Sequence, residues 1–337
     1  MPSHQARAMY SARGGRRVVL LQTRRLAWST KTDDDHQQEH NPLQCGGMKI
    51  ALAQLQAVSD WEENCDRIVD TIATAAADGA ELVVFPEAMM RNFAAGKLAD
   101  HAQPIDGPFA SRIRQAAAAA NITAVVGMFT PAPTRREAGE AASGDNDADR
   151  PRVYNVALVT GPDVHEMYRK IYRYDAHGFT ESATVAAGST PLSFSVGGVT
   201  VGVAICYDLR FPELFVHLAQ QQGCQIIVVP ASFSDGPGKV DQYRLLHQAR
   251  ALDSTCVLVG CDQPRPGGKQ ALGQADGPTG VGHSLVVAPD GRILAELGAD
   301  ETVDIVDVPV ESVATLRESL PVLQLQRAPF VPPVGQG

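Results

Sequence analysis

The stretch GVAICYDLRFPEL, residues 202 to 214, sets a cysteine between an apolar run and a charged, aromatic tail. Free cysteine is among the most buried residue types and often acts as a small hydrophobe, so Cys206 has an ordinary reading as core. Its other reading is a nucleophile, and a thiol with a pKa near ~8.5 must first lose its proton. A carboxylate can take that proton, and a cation can hold the thiolate and later an oxyanion. Two more segments end an apolar run on such a group. Glu87 follows LVVF and Pro86, and Lys170 sits in YRKIY, after the run VYNVALVT and its turn. Alone, Glu87 could be a helix N-terminal carboxylate and Lys170 a solvated surface lysine. Together they place a base, a cation and a thiol at three strand ends, and α/β proteins build ligand pockets beyond their strand tips.

Other chemistries lack support. There is no G-x-S-x-G elbow, no Gly-rich phosphate loop and no H-E-x-x-H. His177, His217, His247 and His283 stand in no motif and read as surface or core, which leaves a Cys-His protease weak. The six cysteines form no C-x-x-C pair, so no metal site is implied and a reducing compartment, the cytoplasm, is expected. Cys224, Cys256 and Cys261 lie in or beside apolar runs and read as core. A net charge of −9 argues against nucleic acid and anionic membranes as partners. No apolar run approaches the roughly 20 residues of a membrane span.

The elements that must hold these groups follow from the pattern. MKIALAQLQA from Met48 reads as a strand, and residues 60 to 78 carry apolar residues at helical spacing up to Gly79. ELVVFPEA (81–88) is a buried strand opening into a loop. An Ala-rich helix over 106–120 precedes strands at 122–129 and 153–160. Residues 192–206 read as two strands around a Gly-Gly hairpin. A helix at 213–222, a strand at 224–232, a helix at 241–253 and a strand at 255–261 follow. A hairpin at 283–297 turns on Asp290-Gly291, then come the strand TVDIVDVPV and a helix at 311–319. This alternation predicts an α/β protein whose sheet is not purely parallel. Residues 131–152 and 263–280 read as surface insertions. Residues 1 to 32 carry seven basic residues and no acid, followed by Asp33-Asp34-Asp35. We read 1–47 as an extension that is disordered or begins at an upstream start codon, with an organelle leader as the alternative. The folded domain is expected over 48–330 and a tail over 331–337.

FPEA, YRKIYRYD and AICYDLRFPEL together resemble the base, lysine and nucleophile motifs of the nitrilase superfamily of carbon–nitrogen hydrolases. The resemblance runs from Met48 to about Phe330. It implies a four-layer α-β-β-α sandwich and a Glu-Lys-Cys triad, with Glu87 as general base, Lys170 as oxyanion-stabilising cation and Cys206 as nucleophile. A second glutamate typical of the amidase branch maps to Glu181, in FTESATVAAG, where it would position Lys170 and the substrate amide. A homodimer or higher homo-oligomer is also implied, and no cofactor.

YNVALVTGPD, RYDAHGFTES, HQARALDSTCVLVGC, GVGHSLVVAPDG and RESLPVLQLQR resemble the branch holding deaminated glutathione amidase and ω-amidase. That resemblance implies ammonia release from a small carboxylate-bearing amide through a cysteine thioester, with deaminated glutathione as the expected substrate. An ω-amidase or N-carbamoyl-amide hydrolase of the same mechanism is the alternative, and a catalytically silent scaffold is the alternative of another class. Arg210 could pair with a substrate carboxylate or, equally, bond Asp208, Glu213 or a backbone carbonyl. The backbone N–H of Tyr207 would aid the oxyanion. Tyr174 and Asp175 could line the pocket or fix the lysine loop, and Asp208 reads as structural. The chain departs from the pattern at Tyr172 and Arg173, at His177, and at Asp241-Gln242-Tyr243, where a tryptophan is usual.

Overall fold

The computed structural model describes residues 47–325, so the expectations for 1–46 and for the tail lie outside the described residues. β1 (Met48–Gln54), α1 (Trp61–Ala77), β2 (Leu82–Val84), α2 (Pro108–Ala120) and β3 (Thr123–Ala132) come first. The one-turn helices α3 (Arg135–Ala138) and α4 (Asp145–Ala148) precede β4 (Arg152–Thr160), β5 (His165–Arg169) and β6 (Val185–Ala186). Then follow β7 (Leu192–Val196), β8 (Val199–Val203), α5 (Pro212–Gln221), β9 (Ile226–Ala231), α6 (Lys239–Ser254) and β10 (Val257–Asp262). The hairpin of β11 (Leu285–Val287) and β12 (Ile293–Glu296) leads to β13 (Thr302–Val308), α7 (Glu311–Ser319) and α8 (Val322–Leu325).

Two mixed sheets result. The first runs β13-β1-β2-β3-β4-β5, with β6 also on β4, and the second runs β12-β11-β10-β9-β8-β7. Successive side chains of a strand point to opposite faces, and this sorts the core. In the first sheet Ile50, Leu52, Leu82, Val84 and Val125 face the second sheet. Ala51, Ala53, Val83, Ala124 and Val126 face α1 and α2, meeting Ile68, Ile72, Phe109 and Ile113. The far face of the second sheet is covered by α5 and α6 through Leu214, Phe215, Leu218 and Ala251. The architecture is therefore the α-β-β-α sandwich. Full burial of each such aliphatic side chain contributes roughly 1.5–3 kcal/mol. α1 starts where Asp60 accepts from the Glu62 N–H at 2.9 Å and stops before Gly79, whose φ of +88° suits glycine.

The sequence pattern did not anticipate β5. HEMYR buries only Tyr168, so it lacks the apolar alternation that marks a strand. The two expected insertions are also more than surface loops. β3 and β4 stay paired out to Ala132↔Arg152, and Arg152 is buried against Glu140 at 2.7 Å. In the second insertion Arg265 is buried between Asp235 at 2.7 Å and Asp276 at 2.8 Å. Both loops end on the rim of one cleft. Among the described residues no helix is long and apolar enough to cross a membrane.

Candidate active site

The chain leaves β2 at Val84 and turns sharply at Ala88, whose φ is +59°. This turn aims Glu87 inward between the sheets. Its backbone is tied on both sides: its N–H donates to the Ala231 carbonyl at 3.2 Å, and its carbonyl accepts from Gln263 Nε2 at 2.9 Å. Gly127 on β3 lies directly beneath, where an added Cβ would stand 2.5 Å from the Pro86 carbonyl oxygen. Only glycine allows that approach.

Lys170 follows the last residue of β5, and its N–H donates to the Asn155 carbonyl of β4 at 2.9 Å. Its ammonium donates to Glu87 Oε1 at 2.9 Å and to Glu181 Oε1 and Oε2 at 3.2 and 3.0 Å. Asn155 Nδ2 joins the same two carboxylates, at 2.7 Å to Glu87 and 3.2 Å to Glu181. The second oxygen of Glu87 accepts from the Ser232 N–H at 3.0 Å, just past β9. Glu181 Oε2 also accepts from the Tyr174 N–H at 2.6 Å. Two carboxylates therefore share one buried ammonium and one carboxamide.

Cys206 enters from the other sheet. Three residues after the end of β8 it takes a φ of +44°, which is uncommon for a residue with a Cβ, and opens a 3₁₀ turn over Cys206–Arg210. A sharp, strained strand-to-helix turn is a known way to present a nucleophile. Tyr207 is the second residue of that turn, where backbone N–H groups have no partner within the turn. Asp208 fixes it in place. The buried carboxylate accepts from the Ile205 N–H at 2.8 Å, the Tyr172 N–H at 2.9 Å and the Tyr168 hydroxyl at 2.8 Å. The last two flank Lys170, so Asp208 pins the cysteine turn to the lysine loop. Arg250 adds a bond to the Leu209 carbonyl at 2.8 Å.

The electrostatics follow from burial and neighbours. Desolvation alone would lower the Lys170 pKa, but Glu181 and Glu87 override it and hold the ammonium well above its usual range. Burial pushes the Cys206 thiol up, the Glu87 charge pushes it further, and Lys170 opposes only in part. In the resting site the thiol keeps its proton. Asp208 is raised to about 6, chiefly by burial.

All seven residues expected at the site line a single cleft of about 1060 Å³: Glu87, Lys170, Cys206, Glu181, Tyr174, Tyr207 and Arg210. Arg210 does not make the bonds to Asp208 or Glu213 that were one expectation. Its guanidinium projects from the exposed end of the turn and donates to Gln242 Oε1 at 3.2 Å. Tyr174 does both jobs expected of it. Its N–H fixes Glu181, its ring meets Tyr207 edge-on at 5.1 Å, and its hydroxyl lies 3.3 Å from Ser234 Oγ. Asp175 fixes the loop by accepting from the Ser182 N–H at 2.9 Å. None of the four histidines lines the cleft. His247 is buried and held neutral, its pKa lowered to about 4 by desolvation. Cys224, Cys256 and Cys261 are wholly buried. The departures also find places. Tyr172 stacks on Phe211 at 3.6 Å, and Tyr243 packs in the core against Phe233 at 5.2 Å. Sequence reasoning missed Asn155, although a lone carboxamide inside the apolar strand VYNVALVT was a visible signal. It also missed the backbone N–H of Ser232, which no side-chain pattern could reveal.

Comparison with known proteins gives this arrangement a context. The family model for carbon-nitrogen hydrolase matches residues 49–318. A hydrolase of Mycobacterium tuberculosis is 41% identical over 287 residues, covering 83% of this chain and 95% of its own. Deaminated glutathione amidase of Escherichia coli O157:H7 is 32% identical over 85% of this chain and 99% of its own. The omega-amidase of Homo sapiens is 30% identical over 83% and 95%. Among solved structures, a glutamate-to-glutamine mutant of the amidase from Nesterenkonia sp. AN1 superposes with a TM-score of 0.62 at 26% identity, covering 84% of this chain and 95% of that one. In that structure the acetamide moiety of fluoroacetamide is added covalently at the active site cysteine. The sandwich, the cleft and these matches together show that the chain belongs to the carbon-nitrogen hydrolases, within the nitrilase superfamily and beside its amidases.

Proposed function

We propose that this protein hydrolyses the amide bond of a small carboxylate-bearing substrate through a thioester on Cys206. The observation that carries the reading is the buried Glu87–Lys170–Glu181 cluster meeting the Cys206 turn in one cleft. Because the resting thiol is protonated, Glu87 takes its proton as sulfur attacks the carbonyl carbon. A C–S bond forms, and the carbonyl electron pair becomes an oxyanion held by Lys170 and the Tyr207 N–H. A donor so placed is worth about 10²–10³-fold in rate. The oxyanion collapses, the C–N bond breaks, and Glu87 returns the proton to the leaving nitrogen. Water then attacks the thioester, giving its proton to Glu87, and the acid departs as Cys206 regains a proton. Glu181 and Asn155 keep Lys170 and Glu87 in register through both halves.

For the substrate we propose deaminated glutathione, with α-ketoglutaramate, the ω-amidase type, as the alternative. The leaving group expected from sequence needs correction for the first. In deaminated glutathione the amide nitrogen belongs to cysteine, so hydrolysis frees cysteinylglycine. Ammonia comes only from a primary carboxamide such as α-ketoglutaramate. We extend the reading to a homodimer in the cytoplasm. Leu245 and Leu252, seven residues apart on α6, are 65% and 48% exposed, and the five described cysteines are unpaired thiols. Light scattering of the purified protein tests the dimer.

The test of activity measures α-ketoglutarate from both substrates, for wild type and Cys206→Ala. Turnover of deaminated glutathione that is lost in the variant is the expected result. Turnover of neither substrate, with Cys206 alkylated no faster than Cys224, would leave the silent scaffold standing.

A further inference from the structure

The first turn of α6 departs from the family pattern and brings a further cation to the cleft, beside Arg210. Lys239 and Gln242 are three residues apart and so share one helix face. Gln242 accepts from Arg210, and Lys239 lines the cleft together with Arg210, Cys206 and Phe233, its ammonium 5.8 Å from the Phe233 ring centre. Among the described residues neither cation has a carboxylate within salt-bridge distance. Every cleft carboxylate that makes an ion pair does so with another group: Glu87 and Glu181 with Lys170, Asp276 with Arg265, Asp145 and Asp149 with Arg136. Burial disfavours the charge of the half-buried Lys239, and repulsion from Arg210 adds to it. Two cations held together with no anion between them cost free energy that an anionic ligand would return.

We infer that Lys239 is a specificity-determining residue: with Arg210 it forms a two-cation subsite beside Cys206 that selects amides bearing a carboxylate on the acyl half. The planar Arg210 fork suits a bidentate grip, and Lys239 adds a point charge that any carboxylate orientation can use. Anchoring the acyl group there fixes the carbonyl before sulfur attacks, so the pair acts on selectivity and not on the chemical steps. This inference rests on the proposed amidase reading.

The experiment compares succinamate with butyramide, an anionic and a neutral amide of equal chain length. For wild type, Lys239→Gln and Lys239→Arg it measures kcat/KM on both. The expected result is that Lys239→Gln lowers the succinamate-to-butyramide ratio at least about tenfold, that the loss sits in KM, and that Lys239→Arg restores most of it. An unchanged ratio, or an equal loss with arginine, would overturn the inference. A second arm needs no turnover: succinate should protect Cys206 from iodoacetamide in wild type and require at least about tenfold more to do so in Lys239→Gln. Equal protection in both proteins would overturn the subsite. Protection that differs while no amide is hydrolysed would support the subsite and sink the amidase reading instead.

Discussion

The Lys170 ammonium lies 2.9 Å from Glu87 Oε1, with both side chains almost wholly withdrawn from water. Removing one partner of a buried pair leaves the other charge uncompensated, at a cost of about 3–5 kcal/mol. In Lys170→Met both Glu87 and Glu181 lose their cation. Urea unfolding should show a stability loss in that range, and acidification should recover part of it as the stranded carboxylates take up protons. A variant as stable as wild type at neutral pH would mean that the three groups are not coupled as drawn.

Asn155→Ala isolates the bridge between the two carboxylates. Its carboxamide donates to Glu87 and Glu181 at once, so alanine leaves two buried acceptors short of a donor. A loss of about 1–3 kcal/mol is expected from that alone. Turnover should fall as well, because Glu87 gains freedom to leave the thiol. The check is paired: thermal unfolding for the first effect, and single-turnover acylation for the second. A stability loss with an unaltered acylation rate would confine Asn155 to packing.

Glu87→Gln keeps the shape and removes the base. Both oxygens of Glu87 receive hydrogen-bond donors, so the amide group of glutamine also faces a donor wherever it is placed. The rate of thioester formation should drop about 10²–10⁴-fold. Single-turnover thioester formation is the measurement that checks it, because removing the Glu87 charge also lets the Cys206 pKa fall toward its ordinary value, so alkylation alone does not report the base. Thioester formation as fast as in wild type would point to a base other than Glu87.

Asp208 supplies a pH test. Its carboxyl sits at about 6 in the folded protein against an ordinary 3.8. Between those values the folded chain holds a proton that the unfolded chain has released. The stabilising contribution of that proton is complete below about pH 3.8 and disappears as pH rises through 6. Unfolding free energy from this group therefore falls with rising pH, by at most about 1.4 kcal/mol per pH unit. Urea titrations at intervals from pH 4 to 7 should show that slope in wild type and lack it in Asp208→Asn. Identical slopes would remove Asp208 from the titrating groups.

The layers and the triad were legible from the chain because they rest on local signals. The alternation in MKIALAQLQA marks β1, the i, i+4 spacing of Ile68 and Ile72 marks α1, and three quoted motifs carry Glu87, Lys170 and Cys206. What stayed hidden was non-local. β5 is a strand because β4 offers it an edge, and its own residues are mostly polar. Asp208 is 36 residues from Tyr172, so no spacing rule joins them. The use of Ser232 depends on its backbone N–H, which every residue except proline possesses. Lys239 and Arg210 line one cleft only because α6 begins beside the cysteine turn.

The division of labour between the sheets has a consequence for the chain as it is made. Glu87, Asn155, Lys170 and Glu181 all follow or lie on strands β2 to β5, whereas Cys206 and Ser232 come later, from β8 and β9. The proton acceptor and the sulfur are thus synthesised on separate halves and meet only when those halves close on each other. A chain whose two sheets have not yet closed carries Cys206 apart from its base, unarmed toward passing thioesters or amides. Catalytic competence here doubles as a certificate of completed folding, and the reactivity of one sulfur atom reports whether two sheets have found each other.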